Sequence, residues 1–279
     1  TRPRQTSHRM EDLSRKASQH NAEIWDKLVA MKSGFTATVS ARALNNPLPY
    51  INIYQWLPEG VHGRRVLCLG AGGGKHAPLY AAAGADVTVV DISEAMLEKD
   101  RIMAERYDFR IRRLQRCMTD LHGLMEKEFD LIMQPVSSCY IQNIEGLHRE
   151  VARVLKPGGL YIVQHKQPFS LQTTPKPECG KYAVEVSARY QGKLPPIDGS
   201  EHRESGAMEF LHTLEALVGG LCRHGFVIED LREPWHGNAE ALPGSFAHRC
   251  EYVPPYLAMK ARRRIDSGIA ISPIIADSV

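Results

Sequence analysis

The 279-residue sequence predicts an α/β fold built on a doubly wound, mostly parallel sheet. Three observations lead there. Short apolar runs alternate with helix-length stretches between residues 66 and 164, a glycine-rich turn (Gly70-Ala71-Gly72-Gly73-Gly74) follows the first run, and Asp91 closes the second. Strand and helix alternating in this order bury a parallel sheet between helical layers, and such open sheets bind ligands beyond the carboxyl ends of their strands.

The elements follow in order. The first nine residues are basic and polar with no apolar face, and are expected to be disordered. From Met10 to about Lys32, Leu13, Ala17, Ile24, Leu28 and Met31 recur at near-helical spacing, and Pro47 and Pro49 break what comes next. Residues 66–69 read as a buried strand, a helix runs from near Lys75 to Ala83, and 87–90 form the second strand. Ser93 suits the start of a helix reaching about Tyr107, because its hydroxyl can accept from the free amides of a first turn. Strands three to five are expected at 114–118, 129–133 and 160–164. Before the fifth, Pro157 and Gly158 occupy the two central positions of a type II turn. About forty residues rich in Pro, Gly and aromatic groups, among them Tyr182, Tyr190, Pro195 and Pro196, then form an insertion ending at Met208. Residues 209–224 put Phe210, Leu214, Leu217, Val218 and Leu221 on one helical face, and 226–231 and 256–261 read as two more strands.

Composition narrows the class. With 43% hydrophobic and 24% charged residues the chain can bury one large core but is short for two full domains. A net charge of +3 is mild. Cys68, Cys117, Cys139, Cys179, Cys222 and Cys250 form no C-x-x-C pair, so neither a zinc site nor a disulfide framework is expected, which suits a reducing cytoplasm. No apolar stretch approaches the roughly 20 residues that span a bilayer, and no apolar leader is visible, so neither membrane insertion nor export is expected. The basic run from Lys260 to Arg264 reads as charge blocking the end of an edge strand, with nucleic-acid contact as the alternative.

The chemistry lies in the turn. Gly70, Gly72 and Gly74 let the backbone turn tightly and approach a ligand, and Asp91 stands where a carboxylate takes both hydroxyls of a ribose. A nucleotide-type cofactor follows. The dinucleotide fingerprint G-x-G-x-x-G wants a glycine at position 75, where the chain has Lys75; the pattern here is G-x-G-x-G. That form resembles the first motif of the class I S-adenosylmethionine-dependent methyltransferases. Cys117-Met118-Thr119-Asp120-Leu121 is similar to the family segment whose carboxylate accepts from the adenine amino group, which makes Asp120 the candidate. Residues 129–135, ending in Gln134-Pro135, resemble the fourth-strand motif that faces the sulfonium and the substrate, and 154–160 resemble the turn before the fifth strand.

The resemblance covers roughly residues 61–264. It implies a Rossmann-like, seven-stranded sheet that ends in an antiparallel hairpin and carries an N-terminal helical cap. The chain then divides into a cap (1–60), a cofactor-binding core (61–165), a substrate-capping insertion (166–208), the end of the sheet (209–264) and a tail (265–279). It implies S-adenosylmethionine as cofactor, S-adenosylhomocysteine as product and no metal, with contacts from Gly70, Ala71, Gly72, Gly74, Asp91, Ile92, Met96, Thr119, Asp120, Leu121 and Gln134. One departure stands out. The family usually has Asp or Glu where this chain has Cys68, so the contact that residue makes to the cofactor's ammonium group must come from elsewhere.

The implied reaction is in-line methyl transfer to a C, N or O atom of a small molecule, with a specialised metabolite favoured. His165, directly after the fifth strand, is the candidate general base, and a structural histidine is the competing reading. Trp25, Tyr140, His165, Gln167, Trp235 and His236 are candidate substrate contacts, Tyr140 also a catalytic one; each also reads as packing. Contact between copies, where it forms, is expected through the N-terminal segment or the 232–255 loop. An RNA methyltransferase, an NAD-linked oxidoreductase and a non-catalytic cofactor-binding scaffold stay open as alternatives.

Overall fold

The computed structural model describes residues 3–197 and 200–265. Helix α1 (Pro3–Ala30) leads, followed by the short α2 (Ala41–Asn45) and α3 (Leu48–Ile51). The core then runs β1 (Arg65–Leu69), α4 (His76–Ala82), β2 (Asp86–Asp91), α5 (Glu94–Tyr107), β3 (Ile111–Gln115), β4 (Phe129–Gln134), α6 (Ile144–Val154) and β5 (Leu155–Lys166). After α7 (Pro168–Gln172) come a π-helical turn (Glu215–Gly219) leading into α8 (Gly220–Arg223), then β6 (Phe226–Arg232), α9 (Phe246–Tyr252) and β7 (Tyr256–Arg263).

The seven strands lie in the order β3-β2-β1-β4-β5-β7-β6, with β7 antiparallel to both of its neighbours and the other pairings parallel. Alternate residues of each strand face opposite layers. Leu67, Leu69, Ile132, Tyr161 and Val163 pack with Leu147 and Val151 of α6 and with Leu217 and Leu221. Val66, Cys68, Val87, Val89 and Met133 pack with Ala77 and Tyr80 of α4 and Leu97 of α5. Both faces are covered, which is why the inner strands read as unbroken apolar runs. Leu155 pairs with Phe129 and Leu160 with Leu131, so residues 156–159 loop out opposite Asp130. Gly158 has φ +78°, the left-handed value a type II turn requires at that position.

Several boundaries depart from the sequence reading. Helix α1 begins at Pro3, within the stretch expected to be disordered. Strand β3 lies three residues before its expected start: it is a half-exposed edge strand carrying Arg112 and Arg113, and the apolar residues Cys117 and Met118 belong to the loop beyond it. The helix expected over 209–224 starts only at Leu214. Glu209 is drawn out by buried ion pairs to Lys166 and Arg203, and Phe210 donates its amide to Cys139 O at 2.7 Å. Strand β7 is an inner strand, so the basic run blocks no edge; Lys260 and Arg262 pair with Glu229, and Arg263 bonds to Leu155 O. Apart from Ile265, the expected tail lies outside the described residues.

Candidate active site

A cavity with about 850 Å³ of free space lies across the carboxyl ends of β2, β1 and β4. Its floor is Gly70, Ala71 and Gly72, and one side is Asp91, Ile92 and Met96. Cys117 and Met118 after β3, and Pro135, Val136 and Ser137 after β4, close the other sides. Trp25 of α1 and Tyr140 form the roof, their rings edge to face with centroids 5.8 Å apart.

The glycines are required by close approach. A Cβ on Gly70 would stand 2.7 Å from Ser137 Oγ and 2.8 Å from Met118 Cε, and one on Gly72 would stand 3.0 Å from Asp91 Oδ2. Gly70 also has φ +57°. Asp91 is held from both sides, Oδ2 accepting from Gly72 N at 2.8 Å and Oδ1 from Ser93 N at 3.0 Å. Burial pushes its carboxyl above the usual range, and the amide bonds oppose that shift. Asp91 lines the cavity.

Helix α1 is sewn onto this site. Asp26 accepts from Ser93 Oγ at 2.5 Å and from Ala95 N at 3.2 Å, at the amino end of α5. Asn21, fully buried, donates to Tyr140 O at 3.1 Å and Met208 O at 2.9 Å and accepts from Met208 N at 2.7 Å. Behind Tyr140, whose hydroxyl donates to Glu204, Lys166 pairs with Glu204 (2.7 Å) and Glu209, and Arg203 with Glu209.

Of the residues singled out in the sequence, Gly70, Ala71, Gly72, Asp91, Ile92, Met96, Trp25 and Tyr140 converge on this cavity. The rest stand elsewhere. Gly74 lies under the turn against Thr38 and Met103. Asp120 is turned to the surface and bonds to His122 at 3.0 Å, so its carboxylate does not face the cavity; Thr119 sits in a neighbouring surface groove and Leu121 is core. Gln134 is buried, donating to Ser137 Oγ at 3.0 Å and accepting from the Tyr161 hydroxyl.

His165 is 1% exposed, and its Nδ1 shares a hydrogen bond with Ser138 Oγ. Its Nε2 has no partner, and burial lowers its pKa to about 3. It does not line the cavity, and its strand-end position packs it beside Ser138. Gln167 caps α7 and bonds Glu233, Trp235 is exposed, and His236 packs between Phe246 and Tyr256. No described residue of the 166–208 insertion lines the cavity; it buttresses the Tyr140 wall from behind through Glu204.

Cys68 is fully buried among Val66, Val89 and Met133, where burial pushes its thiol well above the ordinary range. A second carboxylate, Asp100 on α5, also holds the turn, accepting from Gly73 N at 3.0 Å and Gly74 N at 3.1 Å. Burial raises its pKa to about 7. The sequence did carry a sign of it: Asp100 interrupts the stripe Met96, Leu97, Met103, Ala104 that α5 buries, and a charged residue on a buried stripe needs a partner. Asn21 interrupts the α1 stripe in the same way.

Fold and turn together define an α/β protein of the doubly wound class with a glycine turn at the carboxyl end of β1 and a cavity above it. A methyltransferase domain model matches residues 67–163. The chain is 32% identical over 231 residues to an uncharacterized methyltransferase of Bacillus subtilis, YbaJ, covering 77% of this chain and 89% of that protein. A ubiquinone biosynthesis O-methyltransferase of Alkalilimnicola ehrlichii is 32% identical over 117 residues, 42% of this chain and 47% of that one. The crystal structure of an S-adenosylmethionine-dependent methyltransferase from Mesorhizobium loti superposes with a TM-score of 0.62 at 25% identity, covering 79% of this chain and 100% of that one. The chain belongs to the class I S-adenosylmethionine-dependent methyltransferases, and it is an enzyme of that family.

Proposed function

We propose that the cavity over β2, β1 and β4 holds S-adenosylmethionine and that the enzyme methylates a small molecule, a specialised metabolite. The observation that carries this reading is Asp91, fixed by Gly72 and Ser93 amides at the edge of a cavity floored by the glycine turn. Asp91 takes the ribose hydroxyls, and Ile92 and Met118 sandwich the adenine. The backbone of Gly70, Ala71 and Gly72 receives the methionine end, which points towards Pro135. When bound, the cofactor supplies a methyl group on a sulfonium; transfer makes the acceptor–carbon bond, breaks the carbon–sulfur bond and leaves S-adenosylhomocysteine.

The chain's own work is positioning and exclusion of water. Trp25 and Tyr140 roof the cavity, and Asn21 and the Lys166–Glu204 pair fix that roof. A roof made of the chain's own helix favours a small acceptor over a macromolecule, and the ubiquinone biosynthesis relative is by its name an enzyme of small-molecule metabolism. Titration calorimetry with S-adenosylhomocysteine tests the reading. Binding to the native enzyme, weakened about tenfold or more by Asp91→Ala, is expected; nicotinamide nucleotide binding in its place would overturn it.

A further inference from the structure

A second cavity, with about 650 Å³ of free space, adjoins the first on the α4 side of the sheet. The two share His76 and Pro135. With Asp91 at the β2 end of the first cavity, this shared wall lies at its opposite end, over β4, where the methionine end of the cofactor is directed. The second cavity is lined by Tyr50, Tyr54, Trp56 and Tyr80, by Ile162 and by Gln164. Rings from two sides accommodate a flat apolar body by stacking and edge contacts.

Its polar groups divide in two. Asn52 is satisfied by Leu57, donating to O at 3.1 Å and accepting from N at 2.8 Å, and Gln134 is satisfied by Ser137 and Tyr161. Among the described residues no hydrogen bond is made by the Gln164 amide or the His76 ring. These two side chains, with the Tyr50, Tyr54 and Tyr80 hydroxyls that likewise make no hydrogen bond among the described residues, are left for a ligand.

We propose that this second cavity holds the methyl acceptor and that His76, on the wall between the two cavities, takes the proton that the acceptor loses. This rests on the first cavity holding S-adenosylmethionine. As the acceptor–carbon bond forms and the carbon–sulfur electron pair stays on sulfur, the O–H or N–H proton of the acceptor passes to a ring nitrogen of His76, and from there to solvent. Lys75 precedes His76 at its helix start, Tyr50, Tyr54 and Tyr80 line the second cavity with it, and Asp91 lines the far end of the first. Burial, with Lys75 adding to it, lowers the His76 pKa to about 4, so the ring is neutral and a weak base. The ring-lined wall fits a flat acceptor, so the acceptor class is a phenol, enol or heteroaromatic N–H.

The test uses 2-naphthol as acceptor with the full-length enzyme, reading three quantities: S-adenosylhomocysteine affinity, 2-naphthol affinity in its presence, and methyl transfer by mass spectrometry. Ile162→Phe fills the cavity, and Ile53→Arg places a charge at its rim, where Ile53 is 71% exposed and the fold is not strained. Both variants are expected to keep S-adenosylhomocysteine affinity and to lose 2-naphthol binding. His76→Asn is expected to keep both affinities while turnover falls about 100-fold or more, with the loss shrinking as pH approaches the naphthol's own pKa. If the native enzyme fails to bind S-adenosylhomocysteine, the first cavity is misread. With that binding intact, the acceptor proposal is overturned by absence of 2-naphthol binding, by binding insensitive to Ile162→Phe and Ile53→Arg, or by normal turnover in His76→Asn.

Discussion

Asp26 on the N-terminal helix accepts a hydrogen bond from Ser93 Oγ, 67 residues further along the chain and two residues beyond the cavity-lining Asp91. The same serine caps α5, accepting from Met96 N at 3.0 Å. One carboxylate thus joins the roof helix, a helix cap and the Asp91 loop. Asp26→Ala is expected to lower unfolding free energy by about 1 kcal/mol, the usual cost of a lost helix-end bond, and to weaken S-adenosylhomocysteine binding. Urea unfolding and calorimetry read the two effects, and an unchanged affinity would mean that the roof holds without Asp26.

Asp100 makes stability depend on pH. Its carboxyl is raised by burial from 3.8 to about 7, with Asp91 adding to the rise and the Gly73 and Gly74 amides opposing it. Between those values the folded chain binds more protons than the unfolded one, so this group's contribution falls as pH rises from about 4 to 7. The full effect is of order 4 kcal/mol. Asp100→Asn removes it: the stability difference between native enzyme and variant, measured by urea midpoints at several pH values, should shift against the native enzyme as pH rises. A flat difference would show that Asp100 ionises as freely in the fold as outside it.

Lys166 neutralises two carboxylates in a buried place, its side chain 1% exposed and that of Glu209 0%. Lys166→Met leaves Glu204 and Glu209 short of a cation, and removing one partner of a buried pair costs about 3–5 kcal/mol. Thermal unfolding should fall sharply, and Glu204→Gln in the same chain should recover part of the loss. No recovery would locate the cost in packing rather than charge.

His165 is expected to hold the fold and leave chemistry alone. His165→Ala empties a buried site beside Ser138 and should cost about 2–4 kcal/mol, as large-to-small core changes do, while 2-naphthol turnover per folded molecule stays unchanged. Its pKa falls from 6.5 outside the fold to about 3 within it, so this group's contribution to stability is present above pH 6.5 and is lost towards pH 3. The variant should show a shallower acid slope. Lost turnover in well-folded His165→Ala would return the base role to this residue.

Much of the fold was legible because its signals are local. The buried strands announce themselves as apolar runs, the glycine turn as a backbone that tolerates no Cβ, Ser93 as a cap, and Gly158 as the φ > 0 residue of a type II turn. The edge strand β3 was misplaced because an exposed strand carries no apolar run, and the helix expected from Glu209 was shortened because the charges on Lys166 and Arg203 outweigh local helical preference. The candidate site was half legible. Gly70, Gly72 and Asp91 fall at strand ends that the pattern locates, whereas Asp120 has the right residue type but points outward to His122.

By itself, then, the sequence determined the order of strands and helices, the class of cofactor and the glycine turn after the first core strand, since periodicity, turn chemistry and capping act over a few residues. Only the tertiary structure decided that β7 lies between β5 and β6, that Asp26 and Asn21 fasten α1 over the cavity, that Asp100 rather than residue 68 holds the turn, and that His76 stands between two cavities. Those facts depend on which distant side chains share a low-dielectric interior. There a buried charge or amide must find its partner wherever the fold brings one, and chain spacing carries no record of that search.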